Sequence, residues 1–284
     1  MQPMHHRSAT SAGQQVEQYL LEKAARLFRA AAGLDVGDIH QLRVNSRRLR
    51  VGLWFFADLF PAPELRQIRR HLRRVTQALG EVRTLDVNAQ WVRQAARKAG
   101  TNRPTMSAVL RQLTADRAHR LREWRELAAM LDQSQFPARV EMMIRQVRPV
   151  DDRRLVAAAN TQLGQLRQVM KKRYRQFREE NTDRRFHQFR IAAKRYRYGL
   201  ETAQAAFGSR VQPRIRSVEE LQDLMGAVHD AEVARAYVRA VATKVVASGT
   251  AEMIDWLRAE EEKRYESFRA FVKEKRPWLK KVRL

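Results

Sequence analysis

The chain has 284 residues, with 56 Lys+Arg against 31 Asp+Glu and a formal charge of +25. Its 44% hydrophobic content suffices for a core and excludes a wholly disordered chain, and the lack of cysteine excludes disulfides, thiolate metal sites and a cysteine nucleophile. Self-repulsion among so many cations opposes compaction, so the excess points to a polyanionic partner: nucleic acid, inorganic polyphosphate or anionic lipid.

In chain order, residues 1–13 are expected to be a tail, without the apolar stretch of a secretory signal. No uncharged run approaches the roughly 18 residues of a membrane span, so a soluble, cytoplasmic protein is expected. Beyond the tail, apolar residues recur at spacings of three and four, and no stretch alternates with period two for long enough to propose a strand. The pattern predicts an all-α chain with helices over 14–32, 38–60, 64–79, 82–99 and 105–131. A connector follows over 132–152, with a short helix over 136–147. Helices over 153–180, 183–207, 213–226, 229–247 and 250–275 complete the pattern, and 276–284 is a C-terminal tail. The prolines fall at junctions or near ends, where a missing N–H costs least. With helix starts expected after Gly80 and Gly226, Asp86, Asp230 and Glu232 are read as capping amides or orienting an arginine rather than as catalytic.

An internal repeat organises these helices. The stretch from His40 to Leu53, HQLRVNSRRLRVGL, overlies His187 to Leu200, HQFRIAAKRYRYGL, with seven of fourteen positions identical. A second anchor, Leu79-Gly80 against Met225-Gly226, lies in nearly the same register. The chain therefore reads as a tandem duplication, 14–131 and 153–275, and predicts two four-helix bundles related by a pseudo-twofold axis.

At about 100° per residue, His40, Arg43, Arg47 and Arg50 share one face of their helix, while Leu42, Leu49 and Leu53 gather opposite. His187, Arg190, Lys194 and Arg197 repeat the cationic stripe, and Arg48 and Arg195 flank the two stripes. Like charges at i,i+3 and i,i+4 repel, so a stripe duplicated in register points to a bound anion. Guanidinium forks suit phosphate, and Lys194 adds a compact charge. Each histidine could donate to a phosphate oxygen or could serve a local helix contact, with bound phosphate favouring its protonation and neighbouring arginine opposing it. Neither has a partner at metal-binding spacing, so no metal and no cofactor are expected.

Nucleic acid is the competing ligand, because +25 alone gives nonspecific affinity through counterion release. Single-strand binders interleave stacking aromatics with their cations, and only Tyr198 lies on the cationic side. A phosphohydrolase would need more than cationic clamps, and the chain has no G-x-x-x-x-G-K-[ST] loop. Glu260, Glu262 and Arg264 mimic the E-x-E-x-K spacing of triphosphatase strands, but the segment reads as helix, where i,i+2,i+4 do not share a face. Lipid binding would need apolar helix faces that the bundle core is expected to use.

On the two basic helices the sequence resembles the CHAD family, the conserved histidine α-helical domain, over roughly residues 14–275. The resemblance implies two helical bundles with a basic groove or pore between them and noncatalytic binding of inorganic polyphosphate. Carried over by position, it implies His40, Arg43, Arg47, Arg48 and Arg50 as ligands in the first copy. In the second it implies His187, Arg190, Lys194, Arg195 and Arg197. It also implies a stand-alone member, without the CYTH triphosphatase domain to which some relatives are fused, and a setting at polyphosphate granules beside polyphosphate-metabolising enzymes. After the first Gly anchor, Arg83-Thr84 stands where the family usually has Arg-Asp, and His229-Asp230 replaces that arginine in the second copy.

Overall fold

The computed structural model describes residues 11–29, 36–243, 249–274 and Trp278, and the described part is all-α. The first half supplies α1 (Ala12–Arg29), α2 (Val36–Phe55), α3 (Ala62–Lys98) and α4 (Arg103–Gln133). A short α5 (Phe136–Arg145) leads to α6 (Asp152–Glu180), α7 (Asp183–Phe207), α8 (Gln212–Ala242) and α9 (Thr250–Glu274). Local chemistry sets the starts: Asn102 Oδ1 accepts from Thr105 N at 2.9 Å, Asp151 Oδ1 from Arg154 N at 3.1 Å, and Thr182 Oγ1 from Arg185 N at 3.3 Å. Each side chain satisfies an amide that the first helical turn leaves without a partner.

Two expected breaks are absent. Helix α3 runs through Gly80 and α8 through Gly226, so Asp86, Asp230 and Glu232 stand in helix interiors rather than at starts. A helical glycine costs about 1 kcal/mol against alanine, whereas burial of a Leu, Val or Met side chain contributes about 1.5–3 kcal/mol. Leu72, Val75, Leu79 and Val82 continue one buried row across Gly80, and Leu221, Met225 and Val228 do so across Gly226. Packing therefore outweighs propensity. At the ends, α1 begins at Ala12, inside the expected tail, and Trp278 is fully buried, edge-on to Tyr174 at 4.9 Å. The expected helical residues 30–32, 244–247 and 275 lie outside the described residues, as do 1–10, 276–277 and 279–284 of the tails.

In each half, helices pack against their chain neighbours: α1 on α2, α2 on α3 and α3 on α4, then α6 on α7, α7 on α8 and α8 on α9. Across the halves α2 meets α7 and α3 meets α8. Both apolar clusters draw on both halves: the larger is built around α1, α2, α6, α7 and the first parts of α3 and α8, the smaller from the later parts of α3 and α8 with α4 and α9.

The duplicated glycines Gly52 and Gly199 explain the close approach of α1 to α2 and of α6 to α7. A Cβ at Gly52 would stand 2.5 Å from Leu20 Cδ2, and one at Gly199 2.6 Å from Leu166 Cδ1. At Gly226 a Cβ would meet nothing within 4 Å. Chemical denaturation should separate the cases. Gly52→Ala is expected to lose about 1–2 kcal/mol, overpacking exceeding the gain in propensity. Gly226→Ala should gain about 0.5–1 kcal/mol; a loss there would mean that the glycine is needed for packing.

Candidate anion-binding groove

Large buried aliphatic residues stop at Val82 in α3 and Val228 in α8, and the smaller cluster takes over at Val92 and Ala234. Where they stop, α2, α3, α7 and α8 enclose a groove of about 720 Å³. Its α2 wall carries His40, Arg43, Arg47 and Arg48, and its α7 wall carries Arg190, Lys194, Arg197 and Tyr198. Helix α3 adds Arg83, whereas Asp223 and Asp230 of α8 are the only acidic residues in the lining among the described residues. Stripes 147 positions apart in the sequence thus face one space.

Three predicted residues are not in that lining. Arg195 is exposed, and Arg50 is outside the lining, in the field of Arg47, Arg73, Arg195 and Arg69, so the three-turn stripe of α2 is only partly inside. The His187 ring stands outside, 5.9 Å between centroids from His229, which does line the groove. The groove meets α2 over 40–48 but α7 over 190–198, a stretch equivalent to 43–51 of the first copy. The two stripes therefore contribute different heights.

The cations inside fall into two sets. Glu201 bridges Arg48 Nε at 2.9 Å and Arg197 Nε at 2.8 Å, and Arg197 Nη2 also reaches Glu219 at 2.6 Å. The charge of these two is compensated within the protein. Arg43, Arg47, Arg190 and Lys194 form no ion pair among the described residues; Arg47 Nη1 donates only to the Tyr198 hydroxyl, at 3.4 Å. Arg43 Nε, Arg190 Nε and His40 Nδ1 are buried without a hydrogen-bond partner among the described residues, each an unmade bond costing about 1–3 kcal/mol.

Titration reflects the same strain. Burial, then Arg190, Arg47 and Arg43, pull the Lys194 ammonium from 10.5 to about 6, with Asp230 opposing. Burial and Arg47 bring Arg43 down to about 10. His40 is lowered by burial, Arg83 and Arg43, and His187 by burial, His229 and Arg190. Both imidazoles are therefore biased toward the neutral form.

The residues after the glycine anchors divide by role. Asp86 is buried and accepts from Arg117 Nε at 2.6 Å, orienting an arginine of α4. Glu232 accepts from His229 Nδ1 at 3.4 Å when that nitrogen carries the proton. Arg83 and Asp230 belong to the groove itself. Trp91 also lines it, so Tyr198 is not its only aromatic. Glu260 and Arg264 pair along α9 at 2.7 Å, as a helix requires. No group of three or more His, Asp or Glu among the described residues is placed to hold a metal ion, and no described helix is long and apolar enough to cross a membrane.

The CHAD domain profile matches residues 13–239. The chain belongs to the CHAD domain family. Its fold is similar to that of PptA from Streptomyces chartreusis, at 19% identity and a TM-score of 0.65 over 92% of this chain and 98% of that one. It is equally similar to the crystal structure of the CHAD domain from the plant Ricinus communis, at 18% identity and a TM-score of 0.67 over 97% and 96%. No curated protein matches the chain.

Proposed function

We propose that the groove binds inorganic polyphosphate without turning it over. The supporting observation is a set of four basic side chains with no ion pair among the described residues, Arg43 and Arg47 on α2 with Arg190 and Lys194 on α7, facing one another in a partly buried space. A linear chain of closely spaced phosphates supplies the missing negative charge and acceptors for the stranded N–H groups. Turnover would need an activated nucleophile or metal clamp as well as cations, and Asp230 is already engaged electrostatically with Arg190 and Lys194. Such a module suits the cytoplasm, at polyphosphate granules, where it would serve the enzymes that make or cut the polymer.

The test is competition near physiological salt between long-chain polyphosphate and single-stranded DNA with a similar number of phosphates. Strong preference for polyphosphate is expected. Equal affinity would mean that the net charge acts diffusely, by counterion release alone.

The cations outside the groove predict a dependence on chain length. Arg50, beyond the Arg47 end, lies in the field of Arg73, Arg195 and Arg69 as well as Arg47, and a long polymer leaving the groove would run over these cations. Arg50→Ala/Arg195→Ala should weaken long-chain binding several-fold and leave tripolyphosphate affinity unchanged. Equal losses for both would place these two arginines in the groove's own contact set.

A further inference from the structure

One end of the groove differs chemically from the rest. Past Arg83, the α3 wall presents Val87, Asn88 and Trp91, with Val233 of α8 also in the lining. Positions 87 and 91 are one helical turn apart and share a face. The Trp91 ring is held in place by Trp256, at 6.3 Å between centroids, and by the Arg264 guanidinium, 5.5 Å from its own, yet it remains partly exposed. Beside it, Asn88 is 2% exposed, and its Oδ1 is buried without a hydrogen-bond partner.

A phosphate chain has no use for this end: it offers no apolar face, and it cannot donate to a carboxamide oxygen. A nucleobase does both, stacking on an indole and presenting ring or exocyclic N–H groups to an asparagine. Arg83 precedes Trp91 by two turns, about 12 Å along the axis, and His40 and Arg43 stand on the facing α2 wall. The groove volume of about 720 Å³ lies within the roughly 300–1,000 Å³ usual for small-molecule sites. We infer that the α3 end is a nucleobase subsite, so that the groove accepts a nucleoside polyphosphate with its base against Trp91 and Asn88 and its phosphates toward Arg83, His40 and Arg43. This rests on the groove being a phosphate site. A single aromatic platform serves one terminal base, unlike the successive platforms of single-strand binders.

Calorimetry on the full chain with ATP and with tripolyphosphate, without divalent cations, tests it, because the two share the phosphate chain and differ in the nucleoside. ATP is expected to bind about tenfold more tightly, the usual scale of one base–aromatic stack. Trp91→Ala should remove that advantage while leaving tripolyphosphate affinity unchanged. Asn88→Ala, which deletes an amide whose oxygen has no partner, should reduce the advantage without lowering the melting temperature. Trp91→Phe keeps an aromatic face and should retain part of the advantage, which covers the case in which Trp91→Ala does not fold. Equal affinity for the two ligands, or an ATP advantage that survives both Trp91→Ala and Asn88→Ala, would overturn the subsite while leaving the phosphate groove standing. Binding of neither ligand would remove the phosphate reading and the subsite with it.

Discussion

Arg43→Glu/Arg190→Glu is expected to lower polyphosphate affinity by about 10²–10⁴-fold and to leave the free protein about as stable as the parent. The loss follows from two charge-assisted contacts, each about 1.5–3 kcal/mol, with repulsion added in their place. Retained stability follows from the surroundings. Arg43 lies in the field of Arg47, Arg83 and Arg190, and Arg190 in that of Asp230, Arg47 and Glu232, with no ion pair to either arginine among the described residues. A glutamate at position 43 would meet cations and relieve a repulsion that the parent carries, whereas one at position 190 would gain Arg47 but lose the attraction of Asp230 and Glu232, so the two changes offset. The control is Lys98→Glu/Arg122→Glu, the same change in net charge at two exposed sites on α3 and α4. It should weaken polyphosphate binding by no more than a few-fold. Titrations of both double variants against long-chain polyphosphate, with thermal melts alongside, decide the matter. Equal losses would mean diffuse charge, and a collapse in melting temperature would give the two arginines a structural role.

Much of this candidate site was legible in the sequence, because duplication singles out one face of each helix. An isolated run such as Arg47-Arg48 reads as solvated surface, but the same stripe 147 residues later, with its apolar face also repeated, marks two helices that line one groove. What escaped depends on tertiary contact. Glu201 ties Arg48 and Arg197 together across the halves, yet its equivalent in the first copy is Trp54, so the repeat gives no hint of the bridge. His187 and Arg50 fall out of the groove because it crosses α2 and α7 at different heights, which a helical wheel drawn for one helix cannot contain. Arg83, Asn88 and Trp91 share a face of the helix expected over 82–99, but only the packing of α3 against α2 and α8 turns positions 83, 84, 87, 88 and 91 to the groove. The break expected at Gly80 is a separate miss, because α3 is continuous. The buried row from Leu72 to Val82 carried the evidence for that continuity, and a glycine penalty of about 1 kcal/mol was never large enough to oppose it.

Lys194 ties stability to binding and gives the second large effect. Its folded pKa of about 6 lies well below the ordinary 10.5, so between those values the unfolded chain holds a proton that the folded chain releases. Stability of the free protein, as far as this residue determines it, therefore rises with pH from about 6 to about 10.5, and the penalty is complete below that window. Lys194→Met removes the charge and fills the space, and is expected to stabilise the free protein by about 1–3 kcal/mol near neutral pH. For a chain of this size that is about 2–4 °C of melting temperature per kcal/mol. The same variant should bind polyphosphate about 10- to 100-fold more weakly, since one contact to a charged group is lost. Anion binding places negative charge beside a lysine otherwise faced by Arg43, Arg47, Arg190 and Asp230, so its pKa rises and a proton is taken up. Affinity in the parent should accordingly increase as pH falls from 9 toward about 6. Calorimetry at about pH 8 in buffers of different ionisation enthalpy should show that uptake. The histidines, already held below their usual value, add less there. Uptake that persists unchanged in Lys194→Met would assign the proton to another group, and a variant less stable than the parent would show that the lysine supports the fold rather than straining it.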